Sequence, residues 1–538
     1  MSTRLLLGDE ALAQGAIDAG LSGAFGYPGT PSTEITEYVQ RSPEARSGAV
    51  RSHWTANEKT AVETALGMCY AGKRAMASMK HVGLNVAADP FINAAISGTN
   101  GGLLINVADD PSMHSSQNEQ DSRLYTEIAL VPCIEPANQQ EAYDVPAYAF
   151  GFSERHRVPV LVRLTTRLAH SRAPVTLGSK RPQNELSAPT DRERFILLPS
   201  NARRSYDRLI LQQRDFLRES EESPFNRFVE GPDTSLGVIA CGIAYNYVLE
   251  VTGGTPRFPI LKVGQYPLPL AAVERLLAQC SEILVLEEGY PYVESKLLGS
   301  PPRSSPVIRG RLSGDVPRTG ELSPQSVALA LGLPAVHGFP ASSAAVSRPP
   351  SLCPGCPHAD TCRVLNDALA TRRETGRVFS DIGCYTLGAL PPYGAIDTCI
   401  EMGASITMAK GASDAGLRPA IALIGDSTFA HSGMTGLLDC VNENSDVTIV
   451  IVDNSTVAMT GGQTSSAERR LVAICEGLGV QPAHLRVIEP LPGRHAENVA
   501  ILKEEMSHAG PSVIIARREC IQTLKRGTRR PADKGGAE

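Results

Sequence analysis

Two short stretches carry the residues best suited to chemistry. Gly425-Asp426-Ser427 follows the apolar run Ala420–Ile424, and a second apolar run, Val447–Val452, ends in Asp453-Asn454-Ser455-Thr456. Two parallel strands ending in Asp and Asn aim both side chains into the crevice beyond the strands' carboxyl ends, where α/β sheets bind ligands. A carboxylate, an amide oxygen and a backbone carbonyl are hard donors, suited to Mg2+ or Ca2+ that also holds phosphates. The pair Cys353-Pro-Gly-Cys356, with Cys362 and Cys384 nearby, stands apart from the other cysteines of the 12. Most of those (Cys69, Cys241, Cys280, Cys440) sit singly in apolar segments, as small buried hydrophobes do in a reducing cytosol.

The elements that position these residues follow from the hydrophobic pattern. Strands are expected at Ala24–Tyr27, Ala75–Met79, Leu103–Val107, Val158–Leu164, Leu236–Cys241, Ile260–Val263, Ile283–Leu286, Val378–Phe379, Ala420–Ile424, Val447–Val452 and Val513–Ala516. Helix-period stretches lie between many of them, most clearly Thr55–Gly72, with Val62, Leu66 and Cys69 at helical spacing. Such alternation predicts an α/β chain of mainly parallel sheets with helices on both faces. A polar stretch from Pro174 to Thr234 and an Ala/Ser/Pro-rich one, Val336–Pro350, interrupt it. The expectation is three αβα layered domains, 1–175, 233–335 and 350–525, with a connection at 176–232, a linker at 336–349 and a flexible tail at 526–538.

Composition narrows the classes. A chain of 538 residues, 42% hydrophobic and 20% charged, has material for several cores and excludes wholesale disorder. A net charge of −6 gives no global pull toward nucleic acid or anionic lipid. No apolar run spans a bilayer, and the first residues do not read as a secretion signal, so a cytoplasmic location is expected.

The motif pair resembles that of thiamine diphosphate enzymes, GDG followed by NN, with Ser427 and Asp453 as the departures. By that resemblance Asp426, the Asn454 side chain and the Thr456 carbonyl hold Mg2+. Gly425, Ser427 and Met459 lie against the cofactor, and Met402 props it from below. Glu58, at the head of the Thr55–Gly72 helix, resembles the carboxylate that hydrogen-bonds the aminopyrimidine ring and favours its imino tautomer, which removes the thiazolium C2 proton.

The whole chain resembles the α subunit family of indolepyruvate ferredoxin oxidoreductases, which are 2-oxoacid:acceptor oxidoreductases. The residues carrying this are Gly26-Tyr-Pro-Gly-Thr-Pro-Ser32, Asn57-Glu-Lys59, Met79-Lys-His-Val-Gly-Leu-Asn85, the Asp109–Arg123 loop, Arg163–Arg167 with His170, Cys353–His358, Asp381–Cys384, Gly425–Thr428, Asp453-Asn454 and Ala458–Gly461. The resemblance implies two thiamine diphosphate-binding folds flanking a transketolase C-terminal-like domain. It also implies oxidative decarboxylation of an arylpyruvate with coenzyme A, electrons passing singly to ferredoxin, and a partner β subunit in a dimer or hetero-oligomer. Among the matching residues, Thr30, Lys80, His114, Gln117 and Arg123 are candidates for binding the acid substrate, and His81 and His431 for moving protons. In related oxidoreductases Cys353, Cys356 and Cys384 match three ligands of a [4Fe–4S] cluster. Cys362 and Cys475 are the choices open for a fourth, and zinc with His358 is the alternative.

One departure divides the expectations. Typical members continue past a segment like Arg517-Arg-Glu-Cys520 into a cysteine-rich ferredoxin-like tail, whereas here 18 residues follow Cys520 without another cysteine. Either the outer clusters reside on another protein, or the enzyme releases an aldehyde without oxidation, or the site is a decayed binding scaffold. Intact Glu58, Asp426 and Asn454 argue against the last.

Overall fold

The computed structural model describes residues 2–299, 306–334, 338, 340, 342–346, 349–370 and 376–529. Contacts divide the chain into two compact units, Met1–Pro340 and Ala341–Glu538. Part of the expected 336–349 linker lies outside the described residues. So does 530–538 of the expected tail, while 526–529 continue the helix Ile521–Arg529.

The N-terminal unit holds a seven-stranded sheet in the order Gln265–Tyr266, Cys133–Ile134, Val160–Thr165, Leu103–Asp109, Ala75–Lys80, Gly23–Gly26, Arg51–Trp54. All its pairings are parallel except the edge pair made by Gln265–Tyr266. A five-stranded sheet runs Val307–Arg309, Glu282–Leu286, Leu236–Cys241, Ile260–Val263, Arg227–Val229. The central strands are buried along their length, as strands covered on both faces must be. A single apolar core runs from Leu6 to Leu331 through both sheets. The expected connection contains one long helix, Pro199–Glu221. The helix expected from Thr55 starts at Glu58, because the Asn57 side chain accepts the Thr60 N–H at 2.9 Å and stops the helix from extending backwards.

The C-terminal unit is built on six parallel strands in the order Thr398–Cys399, Arg377–Ser380, Ala420–Gly425, Val447–Asp453, Ser512–Arg517, Leu485–Ile488. The period of two is visible in its cores: Ala422, Ile424, Ile449, Ile451 and Ile515 face one layer of helices. Ile421, Leu423, Val450, Val452 and Ile514 face the other. No helix among the described residues is long and apolar enough to cross a membrane.

Buried charge ties the two N-terminal sheets together. Arg163, on the central strand Val160–Thr165, is fully buried and bonds Asp109 at 2.6 Å, Glu135, and the Glu288 carbonyl at 3.1 Å. Arg123, also fully buried, pairs with Asp121 at 2.5 Å and Glu287 at 2.9 Å and bonds the Tyr266 hydroxyl at 3.0 Å. Burial works against the charge on Asp121, but the two guanidiniums outweigh it and hold its carboxyl down to about 2. Replacing one partner strands the others without compensation, so Arg163→Met is expected to destabilise this unit by about 3–5 kcal/mol. Urea unfolding followed by tryptophan fluorescence checks this; Trp54, the chain's single Trp, lies in this unit.

Candidate functional site

In the N-terminal unit, four of the expected residues converge. Glu58 is buried in the first turn of its helix. Its carboxylate lies against Gly83, in the first turn of the helix His81–Ser97: a Cβ at Gly83 would sit 2.6 Å from Glu58 Oε1. Lys80 and His81 leave the end of the strand Ala75–Lys80 and are held by the loop after Leu103–Asp109. Lys80 Nζ donates to the Ser115 carbonyl at 2.9 Å, and His81 Nε2 lies 3.1 Å from the Asn118 carbonyl. The Ser115 hydroxyl in turn donates to the Thr30 carbonyl at 3.2 Å, so this loop also reaches the Tyr27–Ser32 turn. Burial lowers the Lys80 ammonium to about 8, against the pull of Asp110 and Glu58. Asp110 anchors the loop by accepting from Ser115 N–H at 2.8 Å and the Ser116 and Thr166 hydroxyls at 2.7 and 2.8 Å.

The other candidates in this unit divide. Gln117 is exposed, and His114, also exposed, lies 3.4 Å from Glu321. Arg123 corrects the sequence reading. It is not a donor awaiting a substrate carboxylate, because its guanidinium is already committed inside the core to Asp121, Glu287 and Tyr266.

In the C-terminal unit, the strands Ala420–Gly425 and Val447–Asp453 are parallel neighbours, with Gly425 opposite Val452. They are the two middle strands of the sheet, and Asp426 and Asn454 follow their carboxyl ends. Gly425 has no room for a side chain, since a Cβ would lie 2.6 Å from the Tyr385 ring. Asp426 is buried; its Oδ1 accepts the Ser427 N–H at 2.8 Å, while Oδ2 has no hydrogen-bond partner. Burial first, then the charge of Asp453, raises its carboxyl to about 7. Asp453 is itself paired with Arg517 at 2.7 Å. Asn454 is buried, with Oδ1 accepting the Thr456 N–H at 3.2 Å and Nδ2 3.4 Å from His358 Nε2. A cavity of about 400 Å³ opens beside Asn454, Thr456 and Cys520. A buried carboxylate oxygen left without a partner, beside an amide and a turn of backbone, is a donor set that fits a hard cation.

Ser427 is buried beside Asp426. His431 is buried inside a π-turn, Phe429–Gly433, with Nδ1 2.6 Å from the Ser432 hydroxyl; such turns are enriched at functional sites. Met402 is half-buried, before Gly403 at φ 96°. Gly403 requires that backbone and packs so closely that a Cβ would lie 2.5 Å from Ser432. Met459 is exposed in the short turn Ala458–Thr460.

Three residues of consequence escaped the sequence reading. Asp381 is fully buried and raised to about 7 by burial, against hydrogen bonds from Ser405 at 2.5 Å and from Tyr385. His358, expected only as a zinc alternative, is buried and lowered to about 4 by burial and then Arg518, so it is neutral. Cys520 joins the cysteine set. The Cys384 thiol is pushed up to about 12 by burial, then by the neighbouring Cys356, Cys520 and Cys353. Arg518 donates to the Gly355 carbonyl at 2.7 Å and Gln522 to Cys353 Sγ at 3.4 Å, which lashes the Cys520 segment to the Cys353–Cys356 loop. Of the two cysteines considered as a fourth partner, Cys475 is in an apolar core, whereas Cys362, packed on Gly388, lies close enough to Cys356 for that thiol to add to its raised pKa. Nor do the sulfurs and His358 form a single-ion site. Among the described residues, only Asp9, Glu34 and His170 bring three ligand atoms within 4.8 Å of one another.

Each unit matches a known protein family. Residues 14–202 match the thiamine diphosphate-binding family of pyruvate flavodoxin/ferredoxin oxidoreductases, and residues 381–516 match the C-terminal TPP-binding domain of thiamine pyrophosphate enzymes. Fold and site thus define a thiamine diphosphate-binding oxidoreductase chain. Indolepyruvate oxidoreductase subunit IorA of Archaeoglobus fulgidus is 37% identical over 555 positions, covering 98% of this chain and 88% of that one. The subunit of the same name from Pyrococcus abyssi is 37% identical over 564 positions, covering 96% and 85%. A solved 2-oxoglutarate:ferredoxin oxidoreductase from Magnetococcus marinus aligns with a TM-score of 0.46 and 16% identity, over 57% of this chain and 62% of that one. The chain belongs to the indolepyruvate oxidoreductase subunit IorA family.

The raised carboxyls have a measurable sign. Asp381 and Asp426 keep their protons to about 7 when folded but release them near the ordinary 3.8 when unfolded. Across that window the folded chain binds more protons, so the stability of the metal-free chain falls as pH rises. Asp426→Asn is expected to remove one proton's share of the slope, about 1.4 kcal/mol per pH unit, and to stabilise the metal-free chain at neutral pH. Urea unfolding at a series of pH values checks this.

Proposed function

We propose that the chain is the thiamine diphosphate- and Mg2+-binding catalytic subunit of an enzyme that oxidatively decarboxylates an aryl 2-oxoacid of the indolepyruvate kind. The carrying observation is the buried, unpartnered Oδ2 of Asp426 beside Asn454, within the segment matched to a diphosphate-binding domain. Asp426, Asn454 and the Thr456 carbonyl would hold Mg2+ on the diphosphate, with Gly425, Ser427, Met402 and Met459 around the cofactor. When bound, thiamine diphosphate supplies a carbanion nucleophile for the 2-oxoacid carbonyl and an electron sink for the decarboxylation.

The chain's own residues do the rest. The Glu58 carboxylate, buried against the head of the His81–Ser97 helix, would hydrogen-bond the aminopyrimidine of a bound cofactor and exchange a proton with it there. Lys80 offers a cation, and Thr30 and Gln117 polar groups, to the substrate carboxylate and keto oxygen. His81, buried with Nδ1 unpartnered, and His431 are placed as proton carriers. The balanced reaction takes a 2-oxoacid, coenzyme A and two oxidised one-electron acceptors to an acyl-CoA, CO2, a proton and two reduced acceptors. The relatives are named as subunits, which supports a partner β subunit; ferredoxin as the acceptor rests on the pyruvate flavodoxin/ferredoxin oxidoreductase family that residues 14–202 match. Twelve free cysteines suit the reducing cytoplasm.

Cys353, Cys356, Cys384 and Cys520 are proposed to hold a [4Fe–4S] cluster, the first electron relay. Cys520→Ser is expected to lower the iron and sulfide of the anaerobically purified chain, whereas Cys475→Ser leaves both unchanged; equal iron in both variants removes the assignment.

The reaction itself is tested with Glu58→Gln. With thiamine diphosphate bound, it is expected to slow C2 proton exchange by about a hundredfold or more while retaining cofactor affinity, and to abolish arylacetyl-CoA formation from indolepyruvate. Wild-type exchange rates in the variant would remove Glu58 from its role. Free arylacetaldehyde as the wild-type product would replace oxidation with simple decarboxylation.

A further inference from the structure

Asp9, Glu34 and His170 meet in the N-terminal unit, and none of them is given a role in the reaction above. Their ligand atoms lie within 4.8 Å of one another, and His170 Nε2 is 3.3 Å from Glu34 Oε2. Three helix ends supply them. Asp9 is in the first turn of Gly8–Asp18, Glu34 in the first turn of Thr33–Arg41, and His170 closes the short helix Thr166–His170. The convergence depends on Gly8. A Cβ there would lie 2.3 Å from the Leu168 carbonyl oxygen, so only glycine lets the first helix abut the one that carries His170.

Asp9 is the feature that calls for a ligand. It is 0% exposed, and neither carboxylate oxygen has a hydrogen-bond partner. A helix N-terminus favours an acid by its dipole but does not satisfy two buried oxygens. The nearby Glu10 does not help, because its Oε2 accepts the Leu7 N–H at 2.9 Å and its Oε1 faces Arg172 at 3.9 Å. Burial, then the charges of Glu34 and Glu10, raise the Asp9 carboxyl well above the usual range. A bound cation reverses each of these penalties together.

We propose that Asp9, Glu34 and His170 form a binding site for a divalent transition-metal ion of the Zn2+ or Mn2+ class. One imidazole with two carboxylates suits these ions better than Mg2+ or Ca2+, which take oxygen donors. His170 and Glu34 are about one-third exposed, at 33% and 37%, which gives the ion an entry path and leaves coordination positions for water. The ion pins the helix Thr33–Arg41, which follows the Tyr27–Ser32 turn, to the helices Gly8–Asp18 and Thr166–His170.

The full chain, stripped with a chelator and returned to excess Mg2+ to occupy hard-oxygen sites, is titrated with Mn2+ while free Mn2+ is read by electron paramagnetic resonance. Wild type is expected to take up one more equivalent than His170→Ala and to release it to added Zn2+. Affinity falls by about tenfold or more in Asp9→Asn. Mn2+ raises the thermal midpoint of wild type and not of either variant. Equal Mn2+ uptake by wild type and His170→Ala overturns the proposal and leaves Asp9 a buried protonated acid. His170 is partly exposed, so that comparison stands even if Asp9→Asn does not fold.

Discussion

The ionic network around Arg123 and Arg163 is the constraint on which the N-terminal unit depends. Two guanidiniums and their acids are taken fully out of water, at a cost only their mutual pairing offsets. The acids come from strand ends and loops of both sheets: Asp109 and Glu135 from the seven-stranded one, Glu287 from the end of a strand in the five-stranded one. Neither sheet satisfies the arginines alone. The same network fixes the loop that carries Ser115 and Asn118, since Asp109 accepts the Ser122 N–H at 3.1 Å. Packing charge and the placement of the candidate site residues are therefore one system here, and Lys80 and His81 inherit their placement from a salt bridge they do not join.

The C-terminal unit solves the opposite problem. It leaves Asp426 Oδ2 and His358 Nδ1 buried without partners, and holds Asp381 raised to about 7 despite its hydrogen bonds from Ser405 and Tyr385. Buried polar groups left so cost stability until something binds them. The alternating apolar faces of Ala420–Gly425 and Val447–Asp453 supply the rigidity that keeps those groups apart from water rather than letting them collapse together.

Much of this was legible in the sequence because it is local. Runs such as Val447–Val452 and Leu103–Val107 can only be covered strands, and the motif at Asp426 and Asn454 follows from where such strands end. Short strands such as Cys133–Ile134 and the edge strand Arg51–Trp54 were not legible, since they are too brief to show a period. Arg123 misled because a loop arginine among polar residues looks solvated; its partners Glu287 and Tyr266 lie over a hundred positions away. Cys520 was missed for the same reason. Its place beside Asn454 depends on the strand Ser512–Arg517 lying next to Val447–Asp453, and strand order in a parallel sheet leaves no mark on composition.

That strand order also sets a schedule. The loop of Cys353 and Cys356 is made early in the C-terminal unit, but Arg518, which ties Gly355 and Asp360 in place, follows the sheet's last strand in chain order. Until that strand inserts beside Val447–Asp453, Cys353, Cys356 and Cys384 lack both their clamp and their fourth neighbour. A chain made only as far as Val447–Asp453 thus carries these three thiols without the segment that clamps their loop. Assembly of this thiol set therefore waits on the sheet's last strand in chain order rather than on the loop that carries Cys353 and Cys356.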